Sequence, residues 1–455
     1  MSIFLHFCII EKETKKFIVI PNLPNPFDYD IKDLVLYSCS DLTNCKKQFH
    51  LHPSRDIYGE PLGVVSYSLS TKISIAVLTN SPFLTYFSTR MDKIAEFLLL
   101  QNNLSKELLL QTYNLLGSSV VPQPNQTELL TSFSQDNSLT QLLLKYTSSF
   151  TSLLKVLFVE KRIILLSTET SSSALLYALM NCMPGLLSPF DDTLDVNETE
   201  ILNPLLELCL PLQTYNLQSM FFSLPLVCIT KIIGNKNFIG AMCSDVVRMK
   251  MESIDMVIDV DNKSFIWTNK ELQHILSPTS VDKKYAKWLL DKVIQHQTQT
   301  NEYEGSEHWL LTQCCLYIIH LLTSLCTFDL FQEELSNEQM EQIIRSQGNK
   351  HDFNVDFLCY FVKTNGFRQW RKSLMLSGKY SKVVKLFDVQ HPYHYISSQT
   401  NSNNHKTHSL TKQTIYDYSQ LFNFERLVSL KNTLITIPNQ LDMNSMLENS
   451  DDIDL

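Results

Sequence analysis

A mixed α/β chain that ends in an all-helical module is the fold class the sequence predicts, on three observations. The first third alternates apolar and polar residues before its spacing turns helical. From Leu139 an apolar helical stripe leads into a short apolar strand and a second helix. Beyond Leu272 the helical period dominates.

The elements follow in order. Ile3 to Ile10 and Lys16 to Ile20 flank the charged turn EKET as arms of a hairpin, and the proline-rich PNLPNP ends the second arm. GVVSYSLS and KISIAVLT form a second pair. Pro82 stops the sheet, and helical spacing follows at Ile94, Phe97 and Leu98, then at Leu108, Leu109, Tyr113 and Leu116. Strands first and helices after is the order of a small α+β unit, residues 1–118. GSSVVPQPNQTELLTSFSQDN, from Gly117 to Asn137, is a loop by composition.

The second unit spans residues 138–268. Leu139, Leu142, Leu143, Tyr146, Phe150, Leu153, Leu154 and Leu157 step by three or four, which predicts one face of a long helix. IILLS is a short buried strand, Ser171 or Ser172 can cap a helix through ALLYALMNCM, and NFIGAM, DMVIDVD and KSFIWT are further strands. Helix, strand, helix implies an open α/β layer. VDKKYAKWLLDKV, SEHWLLTQCCLYIIHLLTSL and DFNVDFLCYFVKTNGFRQWRKSLML make an all-helical third unit, residues 269–395. SSQTNSNNHKTHS opens a tail, residues 396–455, expected to be largely flexible apart from a helix around Tyr418 to Leu430.

Composition excludes several function classes. The chain has 455 residues with 10 glycines, so folds built on repeated glycine turns or glycine-rich phosphate loops are disfavoured. The formal net charge of -9 gives no global positive field for a nucleic acid backbone, and no nucleic acid partner is expected. Eleven cysteines, odd in number and scattered through apolar text, fit free thiols in a reducing cytoplasm. The apolar runs are interrupted by polar residues, as LLTQCCLYIIHLL is by Gln313 and His320, so no membrane span is expected, and neither end carries a lipidation box.

The usual signatures of bond-making chemistry are missing. No Walker loop, no Gly-x-Ser-x-Gly elbow, no Cys-x-x-Cys and no His-Glu-x-x-His occurs, so neither cofactor nor metal is expected. His50 and His52, and His391 and His394 in HPYH, lack a third or fourth ligand at usual spacing and read as polar loop histidines. Asp259 and Asp261 could act as paired carboxylates. The preferred reading turns them to water while Ile258 and Val260 face the core. Cys314 and Cys315 read as core packing.

Two charged features remain as candidate partner- or membrane-binding residues. Glu160, Lys161 and Arg162 interrupt apolar text where a helix hands over to a strand, either as a solvated corner or as a partner contact. Between Phe357 and Phe387 stand seven basic residues, including Lys363, Arg368, Arg371 and Lys372, and no acidic one. Such a bias can attract anionic lipid or an acidic protein surface, or be a solvated face opposite Trp370, Leu374, Val383 and Leu386.

LLLKYTSSFTSLLKVLFVEKRIILLS followed by SALLYALMNCMPGLL resembles the core of a DENN domain, closest to the late secretory pathway (Avl-type) subfamily. GVVSYSL, KISIAVLTNSPF, NFIGAMCSDVVRM, DMVIDVDN, SPTSVDKKYAKWLLDKV, EYEGSEHWLLTQCCLYII, DFNVDFLCYFVKTNGFRQWRKSL and HPYH match it in order over about residues 1 to 395. Ser223, Leu224 and Pro225 stand where the relatives usually carry His-Pro-Tyr. The resemblance implies a longin-like first lobe, a Rossmann-related second lobe and a helical module. It also implies a trafficking regulator, cytoplasmic and transiently on Golgi-derived or recycling vesicles, that binds a Rab-type small GTPase and promotes GDP release, or a scaffold or effector without exchange activity.

Overall fold

A computed structural model of the chain describes residues 4–11, 16–20, 47–55, 61–70, 73–79, 84–101, 105–119, 138–168, 172–184, 208–209, 221–223, 237–242, 245–298, 304–332, 335–348, 350–378, 390–394 and 396. All of them fall in the unit Met1–Lys406. The expected helix around Tyr418 to Leu430, and Lys379, Lys382 and Lys385 of the basic run, lie outside the described residues.

Five strands form the first sheet: β1 (Phe4–Glu11), β2 (Lys16–Ile20), β3 (Lys47–Arg55), β4 (Pro61–Ser68) and β5 (Ile73–Thr79). Their order is β2-β1-β5-β4-β3 and every neighbouring pair is antiparallel. The two expected hairpins are β1–β2, closing at Glu11↔Lys16, and β4–β5, closing at Ser68↔Ser74. β3 carries His50 and His52 and pairs with β4, a strand the alternation did not announce. Helix α1 (Leu84–Leu99) packs on β4 and buries Phe87, Met91, Ile94 and Leu98, the three-four spacing of one face. α2 (Lys106–Ser119) buries Leu109, Thr112 and Leu116, and runs through Gly117 to Ser119, where composition opened a loop.

The second sheet is mixed: β6 (Arg162–Leu166), β7 (Phe221–Ser223), β8 (Phe238–Met242), β9 (Met256–Asp259) and β10 (Ser264–Trp267), in the order β10-β9-β6-β8-β7. β6 is parallel to both β8 and β9, while β10 returns antiparallel to β9. Ile163 to Leu166 are all buried, as a central strand covered on both faces requires. β7 falls in FFSLPL, too short a run to show alternation.

The long helix expected from Leu139 to Leu157 is broken. It consists of α3 (Ser138–Tyr146), a 3-10 turn at Thr147–Ser149 and α4 (Phe150–Val156). Every residue of α4 is buried, so it has no solvent face to continue the stripe, and the break lets it enter the interior at a new angle. Tyr146 marks the break: its hydroxyl donates to the Asp259 carbonyl at 2.6 Å, and its ring stacks on Phe265. α5 (Ser172–Asn181) packs on β6 and β8.

The helical module holds α6 (Lys270–Ile275), α7 (Ser280–Thr298), α8 (Glu307–Leu325), α9 (Asn337–Gln347), α10 (Val355–Phe361) and α11 (Asn365–Ser377). Side chains of Asn269, Ser306, Ser336, Asn354 and Thr364 accept backbone N–H groups at the starts of α6, α8, α9, α10 and α11, as helix N-termini demand. The Thr364 cap splits the expected single helix of DFNVDFLCYFVKTNGFRQWRKSLML in two. Gly305 precedes α8 at φ +90°, and a Cβ there would lie 2.2 Å from the Lys292 carbonyl oxygen of α7. Among the described residues one helix, α8, is long and apolar enough to cross a membrane, contrary to the expectation from its polar interruptions; 89% of that window is buried inside the protein, where His320 meets the Gln390 carbonyl at 2.7 Å.

Candidate functional site

The two charged features far apart in sequence meet in space. After α4 the chain turns at Glu160, which adopts φ 47°, a left-handed conformation that costs energy outside glycine and here aims the carboxylate at α11. The Glu160 carboxylate accepts the N–H groups of Asn365 at 2.9 Å and Gly366 at 2.6 Å. Thr364 takes the next one, from Phe367, at 3.3 Å. A negative charge at a helix N-terminus also complements its dipole. Beside it, Phe158 meets Phe357 and Phe361 edge-on, and Tyr360 donates its hydroxyl to the Val159 carbonyl at 3.2 Å.

Lys161 places its ammonium 5.8 Å from the Tyr360 ring centroid, a cation–π contact. Arg162 donates both its backbone N–H and its Nε to Asp255 Oδ2, each at 3.0 Å. Burial pushes the Asp255 carboxyl up, but the bonds from Arg162 outweigh it and hold its pKa below the ordinary value. All three corner residues are thus engaged within the chain.

The basic run divides by role. Lys363 pairs with Glu341 at 2.5 Å and joins a surface ladder, Lys363–Glu341–Arg345–Asp356–His274. Bonds from Lys363 and then Arg345 hold the Glu341 carboxyl below its usual range. Arg371 turns inward, its Nε donating to the Leu330 carbonyl at 2.6 Å and a terminal nitrogen to that of Gln332. Its desolvation lowers its pKa. Trp370 is also buried, with Nε1 donating to the Leu208 carbonyl at 2.7 Å. Only Arg368 and Lys372 of the named set project from the exposed face of α11.

Next to this junction lies a buried ionic centre that sequence reasoning missed. Lys155 of α4 and Asp282 of α7 meet at 2.7 Å, both side chains 0% exposed. Asp282 also accepts from the Tyr317 hydroxyl at 2.8 Å, from His391 Nε2 at 3.1 Å and from the Thr279 N–H at 2.8 Å. His391 Nδ1 accepts the Tyr393 N–H, so the proton of the neutral ring sits on Nε2. Burial raises the Asp282 carboxyl, but Lys155 and then His391 overcome it, and the net shift is far downward. His391 is held down by its own burial, against the pull of Asp282.

Four expectations about single residues are corrected here. His391 is a core residue among the rings of Tyr285, Tyr317 and Phe353, not a polar loop histidine; His394 meets Asp352 at 2.6 Å. Asp259 does not face water: it is 1% exposed, because Arg248 and both the N–H and side-chain amide of Asn262 replace its hydration. Asp261 caps the end of β6 by accepting from Ser167 and Thr168. The side chains of His50 and His52 lie outside the described residues. Cys314 is buried as expected, while the half-buried Cys315 thiol lies 3.9 Å from the Asn181 carbonyl.

One signal of the buried centre was visible: Lys155 is a lone charge in the apolar run SLLKVLFV. Its partner carried no such signal: Asp282 stands in the polar opening of α7, where it and Thr279 also satisfy each other's backbone N–H groups as a capping box does. Among the described residues no group of three or more His, Cys, Asp or Glu side chains is placed to hold a metal ion. What the junction offers is a surface whose charges are neutralised at its base, with exposed cations along one helix. The family signature described as "Transport protein Avl9" matches residues 45–325, which include the first sheet from β3 onward, the whole second sheet, the corner and α7 with α8. That match spans more than half of the chain, and the chain therefore belongs to the Avl9 family of transport proteins.

Proposed function

We propose that this chain regulates late secretory, exocytic or recycling transport by binding a Rab-type small GTPase and promoting GDP release. The Avl9 membership supports a general role in membrane trafficking. The ordered DENN-like segments, together with an antiparallel sheet followed by a mixed sheet with a parallel centre, support the finer reading of a longin-like and a Rossmann-related lobe. The observation that carries the proposal is the locked junction: Glu160 fixes α11, and Asp282 ties α4 to α7 and α8. An exchange factor needs such rigidity, because it must hold the nucleotide-free GTPase better than the loaded one. By linkage it then weakens nucleotide binding by the same factor. The protein would act from the cytoplasm and visit Golgi-derived or recycling vesicles.

A second reading, a scaffold or Rab effector without exchange activity, draws on one observation. Glu160 and Arg162 are both committed to partners within the chain, so the corner has neither group free to enter a nucleotide site. Release of a fluorescent GDP analogue from a panel of Rab proteins separates the two. Acceleration with at least one Rab is expected. No acceleration with any, together with binding to a GTP-loaded Rab, would establish the effector reading instead.

A further inference from the structure

We infer that the exposed face of α11, formed by Arg368, Lys372 and Leu376, is a docking face for an anionic phospholipid surface. The three residues stand at four-residue intervals, so they form a single stripe along the helix. The opposite side is buried through Phe367, Trp370 and Leu374, which fixes the stripe outward. Neither Arg368 nor Lys372 makes an ion pair with another described residue, and α11 contains no carboxylate at all. In a chain of net charge -9 this is a local exception. Leu376 is 79% exposed, one turn beyond Lys372, and supplies the apolar anchor that the sequence alone did not reveal.

Charge complementarity selects an acidic occupant, and the shape of the face selects a lipid one. A convex helix side with two cations and one leucine presents, among the described residues, no groove for a protein side chain. A fluid leaflet requires only that cations reach headgroups and an apolar side chain enter among them. The structure also removes Arg371 from this role, since its guanidinium is held by the carbonyls of Leu330 and Gln332. Each cation near an anionic leaflet strengthens partitioning about fivefold, and the pair together about thirtyfold at low salt. The contact is weak by itself and adds to whatever a protein partner provides.

The inference rests on the transport role and not on exchange activity, and flotation of the full chain with vesicles tests it. Phosphatidylcholine vesicles containing phosphatidylserine should retain the protein at low salt and lose it as salt rises; pure phosphatidylcholine vesicles should not retain it. Arg368→Glu with Lys372→Glu should lower retention about thirtyfold or more, and Leu376→Ala about threefold with an unchanged salt dependence. Lys283→Glu with Lys284→Glu, an equal charge change at exposed positions on α7, should leave retention near the unmodified level. Arg368→Gln with Lys372→Gln serves if the glutamate pair lowers thermal stability. Retention unchanged in the α11 variants, or reduced equally by the α7 pair, overturns the inference. So does unchanged retention combined with slower GDP release from a responsive Rab, which would assign the face to the GTPase.

Discussion

The Asp282 centre and the Glu160 corner both join the α/β layer to the helical module with charges, but one is dry and the other is wet. Lys155 and Asp282 are 0% exposed, whereas the Arg162 and Asp255 side chains are 31% and 13% exposed. In the dry centre every charge lost leaves its partner stranded where water cannot reach it. In the wet corner, solvent takes over much of what a lost partner supplied. The same residue types therefore serve two ends: irreversible-looking commitment inside, adjustable contacts outside.

Removing the centre's carboxylate is the sharpest way to probe that contrast. Asp282→Asn should cost about 3–5 kcal/mol by leaving Lys155 charged and buried, as read from urea denaturation. Asp255→Asn should cost about 1 kcal/mol or less. Replacing both interior partners, Lys155→Met with Asp282→Leu, should recover most of the loss. Equal costs for the two single variants would erase the distinction between the regions.

Acid should reach the dry regions first. His308 of α8 is buried, and burial lowers its pKa to about 4; His391 is lowered too. An unfolded histidine takes up its proton near pH 6.5. Between those values the unfolded chain binds more protons than the folded one, so stability falls as pH drops from about 6.5 toward 4. The depressed Asp282 carboxyl adds a further loss below the ordinary aspartate range. Urea midpoints measured from pH 7 down to 4 should decline, and His391→Gln should flatten the upper part of that decline.

Glu160→Gln is expected to be intermediate. It keeps the shape but weakens two charge-assisted bonds to the start of α11, at a cost of about 1 kcal/mol. Amide hydrogen exchange at Asn365 and Gly366 should quicken while α7 and α8 stay protected. The smallest effect belongs to the surface ladder, where Lys363→Ala should change stability by about 0.2–1 kcal/mol. A larger loss there would mean that the exposed charges act as one network.

Local features were legible wherever the physics is local. EKET predicted the first hairpin because turn chemistry and alternation act over a few residues, and β4–β5 followed for the same reason. The strand at IILLS, the helices that became α1 and α5, and the run of helices from α7 to α11 were readable from periodicity. β3 and the three-residue β7 were not, since a short or irregular strand exists only through its neighbours. The stripe from Leu139 to Leu157 had the right period for one helix, yet the interior imposed a break that the pattern does not encode.

By itself, then, the sequence determined the order of strands and helices, and that the charged corner and the basic helix were features to explain. Only the tertiary structure decided what those charges do. Lys155 meets Asp282 across 127 residues of sequence, His391 meets the same carboxylate across 109, and Glu160 reaches Asn365 across 205. Propensity and hydrophobic period arise from neighbours a few positions away, but the electrostatic fate of a side chain depends on burial and on partners the fold brings from afar. Arg371 and Arg368 are three residues apart on one helix, and it is the neighbouring carbonyls of Leu330 and Gln332, not anything local, that turn one inward and leave the other to the surface.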